Sequence, residues 1–212
     1  MLGWFIMKYI WINPVTANMY PPEALKAFLE ENDLVRVEAS SHWLETVRKK
    51  YAQELTQSEK TVIDVRCPKI KGIIHAYDLQ DKVTLPDIEP ILIHCGREIS
   101  ERKDLRGTEK LITTPCQALA DLGNSLALKE TSFLPWNQLL ASLGGELSAV
   151  PPRESPIPPG FFDGLDFKIV SVTGKDPICD LFENFEPGQF DGIELLYCQN
   201  GCHNGDGICG CK

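Results

Sequence analysis

Short apolar runs rich in β-branched and aromatic residues alternate along this chain with stretches of helical periodicity, and that alternation limits the fold more than any other feature. The runs are KYIWI (8–12), LVRVEA (34–39), TVIDVR (61–66), PILIHC (90–95), KLITT (110–114), FKIVSVTG (167–174) and GIELLYC (192–198), each of strand length. Between them, PPEALKAFLEEN places proline where a helix begins and spaces Ala24, Phe28 and Leu29 along one face. SHWLETVRKKYAQELTQ offers a serine cap, Glu45 in the first turn, and Trp43, Val47 and Tyr51 at helical spacing. PCQALADLGNSLAL, PWNQLLASLG and DPICDLFENF read as further helices. Strands that alternate with helices pair in parallel, because a helix fills the crossover that returns the chain to the same end of a sheet. The predicted class is therefore α/β, as two small, mainly parallel β-α-β lobes.

Two segments, 75–90 and 144–164, interrupt the rhythm, and the second carries five prolines between Val150 and Gly160. Proline lacks an N–H and fixes φ, so this stretch reads as an extended connection. A division near residue 85 then separates an N-terminal α/β lobe, 1–85, from a C-terminal α/β lobe, 86–212, with its Pro-rich connection at 150–160 and a cysteine-rich tail. Globular usage supports this: 212 residues, 43% hydrophobic and 24% charged. A formal net charge of −9 repels phosphates, so no nucleic-acid partner is expected. The opening MLGWFIMKYIWINPV lacks a basic leader and a small-residue cleavage site, and Pro14 ends it short of the roughly 20 residues of a membrane span. Met7 is a second candidate initiator. A cytoplasmic protein without a membrane partner is the expectation.

Eight cysteines then need a reason, because the cytosol keeps ordinary thiols reduced. Cys67, Cys95, Cys116 and Cys198 each lie at or just past the carboxyl end of a predicted strand, the edge where open parallel sheets bind ligands. Prolines adjoin Cys67 and Cys116, and the stretch CQNGCHNGDG supplies glycines around Cys198 and Cys202 that let backbone N–H groups approach a bound sulfur-rich or anionic group. Thiolates bind soft or borderline metals, and an iron–sulfur cluster takes four cysteines with N–H donors to its sulfurs. Zinc accepts four thiolates as well, though its structural sites favour paired short knuckles, and only one short pair occurs among the strand-end thiols. Burial as small hydrophobes is the plain alternative for Cys95 and Cys179.

VRCPKI, TTPCQALAD and ELLYCQNGCHNGDG resemble, in order, the three signature motifs of the catalytic domain of the iron-only ([FeFe]) hydrogenases, in degenerate and shortened form. Those motifs read approximately T-S-C-C-P-x-W, M-P-C-x-x-K-x-x-E and E-x-M-x-C-x-x-G-C-x-x-G-G-G. Glu194, Cys198, Gly201, Cys202, Gly205 and Gly207 fall on the third, Pro115 and Cys116 on the second, and Cys67 and Pro68 on the first. Leu196, Asp206 and Leu122 stand where the family has Met, Gly and Glu. The resemblance implies that Cys67, Cys116, Cys198 and Cys202 hold a [4Fe–4S] cluster between the lobes, with Cys202 the thiolate that would bridge to a two-iron subsite. Arg66 replaces the family's proton-relay cysteine, and Leu119 replaces the lysine that contacts a cyanide of that subsite. Leucine cannot donate a hydrogen bond and arginine is a poor shuttle at neutral pH, so the expectation is a cluster protein without hydrogen activation. Hydrogenase-like proteins that keep the ligands but not the pocket, such as the prelamin recognition factor relatives, are the functional analogy.

Three readings follow. The first is an iron–sulfur protein in electron transfer, redox sensing or cluster-dependent assembly, with a redox partner protein. The second is a divergent hydrogenase-type oxidoreductase with an open or two-iron site at Cys202. The third is a structural zinc or thiol-disulfide protein. Glu194 stands where the family has a proton-pathway carboxylate, and His203 follows Cys202, where it can donate to a cluster sulfur, relay a proton or face solvent; these two are the candidate catalytic residues. Cys95, Cys179, Cys209 and Cys211 form a possible second metal site.

Overall fold

The computed structural model describes residues 8–144, 147–150 and 155–208. In chain order the elements are β1 (Lys8–Trp11), α1 (Pro14–Ala17), α2 (Pro22–Glu31), β2 (Leu34–Arg36), α3 (Trp43–Gln57), β3 (Val62–Ile63), α4 (Lys69–Ala76) and α5 (Ile91–Glu101). They continue as β4 (Lys110–Thr114), α6 (Gln117–Ser125), β5 (Thr131–Pro135), α7 (Trp136–Leu143), β6 (Ile169–Thr173), α8 (Lys175–Glu183) and β7 (Gly192–Leu196). Single 3-10 turns lie at Lys103–Leu105 and Cys202–Asn204. The chain is mixed α/β with two small sheets, and every strand pairing among the described residues is parallel.

The chain divides into two compact units, each built from separated segments. The first comprises Met1–Ser41, Leu92–Pro156 and Gly205–Lys212; the second comprises His42–Ile91 and Ile157–Asn204. The sequence places a single division near residue 85, close to the 91/92 junction. Parallel pairing explains why one cut does not describe the units: β3 and β7 are far apart in sequence yet are hydrogen-bonded neighbours, so the second unit must draw on both halves of the chain.

In the first unit the sheet order is β2-β1-β4-β5. Leu25, Phe28 and Leu29 are the buried seam of α2, a one-position shift from the predicted Ala24 face. Phe133 on β5 is 2% exposed, and β-carbons at Gly96 on α5 and Gly123 on α6 would collide with its ring. Asn124 fixes the same residue by its backbone, accepting from Phe133 N and donating to Phe133 O at 2.8 Å each. A neutral polar knot joins the ends of β1 and β4. Asn13 N and Nδ2 donate to Thr113 Oγ1 at 2.9 and 3.1 Å, Nδ2 also donates to Thr16 Oγ1, and Oδ1 caps α1 by accepting from Thr16 N at 3.0 Å.

In the second unit the sheet order is β3-β7-β6. Period-two alternation sends Ile63, Ile193 and Leu195 into one core with Ile70, Ile74 and Phe182, while Val62 joins Val47, Tyr51, Leu55 and Phe162 in the other. Helix α3 supplies Val47, Tyr51 and Leu55 at the predicted spacing; the predicted serine cap is absent, since His42 occupies the cap position without a side-chain bond.

PILIHC (90–95) is not a strand. Leu92, Cys95, Gly96 and Ile99 are buried on one face of α5, so the short apolar run is the start of an amphipathic helix. Length alone cannot separate such a run from a buried strand until the residues beyond it are counted. Cys95 consequently lies inside a helix rather than at a strand end, buried as the plain reading has it. α1, α4 and β5 have no counterpart among the predicted elements. No helix among the described residues is long and apolar enough to cross a membrane.

Candidate functional site

Cys67 and Cys198 are brought to one sheet edge by the pairing of β3 with β7, in which Val62 lies opposite Gly192 and Ile63 opposite Ile193. Both thiols follow the carboxyl ends of these strands. Cys67 precedes the first turn of α4, its carbonyl accepting from Ile70 N at 3.1 Å. Its thiol meets the backbone N–H groups of Tyr197, the residue just before Cys198, and of Lys69. Burial pushes the thiol up, and the two N–H donors partly offset that by favouring the thiolate. The Lys69 ammonium lies 4.6 Å from the centre of the Tyr197 ring, tying the start of α4 to the end of β7.

Cys198 and Cys202 share a tight loop. Gly201 N donates to the Cys198 carbonyl at 3.2 Å, and Asn200 (φ 59°) and Gly201 (φ 119°) supply the left-handed backbone the turn requires. Asn200 N donates to Thr173 Oγ1 at 3.1 Å and Asn204 Nδ2 to the Gln199 carbonyl at 2.8 Å, so the loop is pinned to the end of β6 and to itself. His203 lies in the 3-10 turn after Cys202, its Nε2 3.2 Å from Asn204 Nδ2.

Cys116 belongs to the first unit, where it caps α6 with extended backbone. Its carbonyl accepts from Thr114 Oγ1 at 2.9 Å, and Gly207 N donates to the Pro115 carbonyl at 3.0 Å. A β-carbon on Gly207 would lie 2.9 Å from Cys116 N and from Pro115 C, so this close backbone approach requires glycine. Asp206 Oδ1 accepts from Gln117 N at 2.9 Å, capping α6 from outside the helix. The glycine-rich tail that carries Cys198 and Cys202 therefore runs on into the segment docked against Cys116.

Glu194 is the centre of a buried ionic network in the second unit. It is 1% exposed and accepts from Gly160 N (2.7 Å), Phe161 N (3.0 Å), Ser171 Oγ (2.6 Å) and Arg66 Nη2 (3.1 Å). Ser171 is its register partner on β6. Arg66 forks onto Asp64 through Nε (2.9 Å) and Nη2 (2.7 Å), and its guanidinium stacks 3.5 Å from the centre of the Phe161 ring. Burial works against the Arg66 charge, but Asp64 and then Glu194 outweigh it and hold the guanidinium above its ordinary pKa. The Tyr51 hydroxyl donates to Asp64 and accepts from Val65 N at 3.0 Å; burial and then the Asp64 charge push the phenol far above its usual range.

Sequence reasoning singled out Glu194 and Arg66 separately and missed their contact, together with Asp64, Ser171 and Phe161. A signal was present. Asp64 and Arg66 are two apart at the end of a strand, on the face that also holds Val62, where a lone charge would be costly.

The possible second metal site is dispersed. Cys95 lies on α5 of the first unit and Cys179 on α8 of the second, where its thiol is hydrogen-bonded to the Tyr77 hydroxyl. Cys209 and Cys211 lie outside the described residues. None of the six described cysteines forms a disulfide, and no ready-made group of three His, Cys, Asp or Glu ligands for a metal ion occurs among the described residues. No protein-family model, curated protein or solved structure matches this chain.

Proposed function

We propose that this chain is a cytoplasmic, hydrogenase-like iron–sulfur protein in which Cys67, Cys116, Cys198 and Cys202 bind a [4Fe–4S] cluster. The cluster serves electron transfer with a redox partner protein, redox sensing or cluster-dependent assembly, without hydrogen activation. The observation that carries the reading is the meeting of the Cys67 sulfur with the Tyr197 N–H, one residue before Cys198, at the ends of two paired parallel strands. Backbone donors at a thiolate are what a bound cluster needs beyond its ligands. The donor set fits the group chemically: cysteines, a tight loop with two left-handed residues, and a glycine against Cys116 that no larger residue can replace. A cluster of this type supplies one-electron chemistry.

The ionic network supports the absence of hydrogen activation. Arg66 and Glu194 occupy the two positions at which the resembled family carries proton-relay groups, and in this chain they are bonded to each other. A carboxylate already accepting four hydrogen bonds is a fixed anchor rather than a carrier that binds and releases a proton at each turnover.

Anaerobic reconstitution with iron and sulfide tests the proposal. The protein is expected to turn brown, to hold about four irons and four sulfides per chain, and to lose the colour in Cys116→Ser. Colourless protein holding one zinc and no sulfide after the same treatment would overturn it.

A further inference from the structure

The network around Arg66 carries more negative than positive charge. Asp64, Arg66 and Glu194 are 0%, 9% and 1% exposed, so two carboxylates face one guanidinium almost wholly buried from bulk solvent. Each of the four hydrogen bonds to Glu194 has an N–H or O–H donor on the other side, the pattern of an ionised carboxylate. Asp64 likewise receives the Arg66 backbone N–H, the guanidinium fork and the Tyr51 hydroxyl. The surplus charge is buried, so mobile salt screens it poorly. It also sits close in the chain to the thiols: Arg66 directly precedes Cys67, and Glu194 lies on β7, which ends two residues before Cys198.

We propose that the Asp64–Arg66–Glu194 triad sets the reduction potential of the cluster held by Cys67 and Cys198, its surplus negative charge keeping that potential low. The inference rests on the cluster proposed above. Reduction adds one electron, [4Fe–4S]2+ + e− → [4Fe–4S]+, and a fixed negative charge nearby disfavours the more negative product. Asp64 and Glu194 act as positioning charges that do not touch iron. Arg66 is the counter-charge that makes two buried carboxylates tolerable.

A redox titration of the reconstituted protein, with dithionite as reductant and dye mediators, reads the effect directly. Glu194→Gln and Asp64→Asn each remove one negative charge and are expected to move the midpoint potential to more positive values. Arg66→Gln removes the positive charge and is expected to move it the opposite way. Ser171→Ala deletes a hydrogen bond to Glu194 without changing charge and is expected to leave the potential in place. Structural loosening alone gives no reason for the sign to follow the charge.

A wild-type cluster whose potential is unmoved in both carboxylate variants overturns this proposal alone, as does a shift of the same sign in Arg66→Gln. If Arg66→Gln does not fold, the two carboxylate variants set against Ser171→Ala still decide. Wild-type protein that takes up no iron overturns the cluster itself, and this inference with it.

Discussion

The two units solve the same problem, fastening the ends of parallel strands, with opposite chemistry. In the first, Asn13, Thr16 and Thr113 are all within 1% of full burial and share four hydrogen bonds among neutral groups. In the second, Asp64, Arg66 and Glu194 do it with three charges. A neutral knot loses only unmade hydrogen bonds when one member is removed. A charged knot is left with ions in a medium that cannot solvate them, so each member is worth more for its partners than for itself. The unit with the charged knot is also the one that holds three of the four candidate thiols.

The largest difference is expected on removing the central cation. Arg66→Met leaves two carboxylates buried and should cost about 3–5 kcal/mol, read as a fall in the urea midpoint of unfolding. Asn13→Ala in the first unit should cost less, about 1–3 kcal/mol for the orphaned hydroxyls and the lost cap. Equal losses for the two variants would erase the distinction between the knots.

The smallest effect belongs to a single thiol of the first unit. Burial, then the Glu98 charge, pushes Cys95 up to about 12 from the usual value near 9.0. Its folded-state value is raised, so the unfolded chain gives up the proton first. Its contribution is intact below pH 9 and declines as pH rises from there towards 12. At about pH 9.5 the loss is on the order of 1 kcal/mol relative to Cys95→Ala, measured by parallel unfolding curves. Curves for the two proteins that fall together with pH would remove Cys95 as the cause.

Much of this fold could be read from local pattern. β1, β4, β6 and β7, and helices α2, α3 and α6 to α8, coincide with predicted runs because each carries its own periodicity. The run at 90–95 failed because six apolar-rich residues fit either state, and only Gly96 and Ile99 beyond it reveal the helical face. β5 escaped because TSFLP has little alternation; what holds it is Asn124 and the two glycines that admit the Phe133 ring. At the site, the predicted strands put Cys67, Cys116 and Cys198 beyond strand ends, and the rest depended on pairing over long separation. Arg66 and Glu194 are 128 residues apart, and no local property of either predicts the contact. The same holds for the units, whose composition follows strand pairing rather than chain order.

The Arg66 triad also restricts how this sequence can change over generations. Loss of Arg66 strands two buried carboxylates, and the penalty is large against the roughly 5–15 kcal/mol by which a domain is usually stable, whereas loss of either carboxylate leaves the other still paired with Arg66. Change at Arg66 is therefore strongly epistatic: it is tolerable only where the carboxylates have already been replaced. Descendants of this chain should keep Arg66 for as long as they keep Asp64 and Glu194. A cysteine at position 66 would first require neutral residues at 64 and 194.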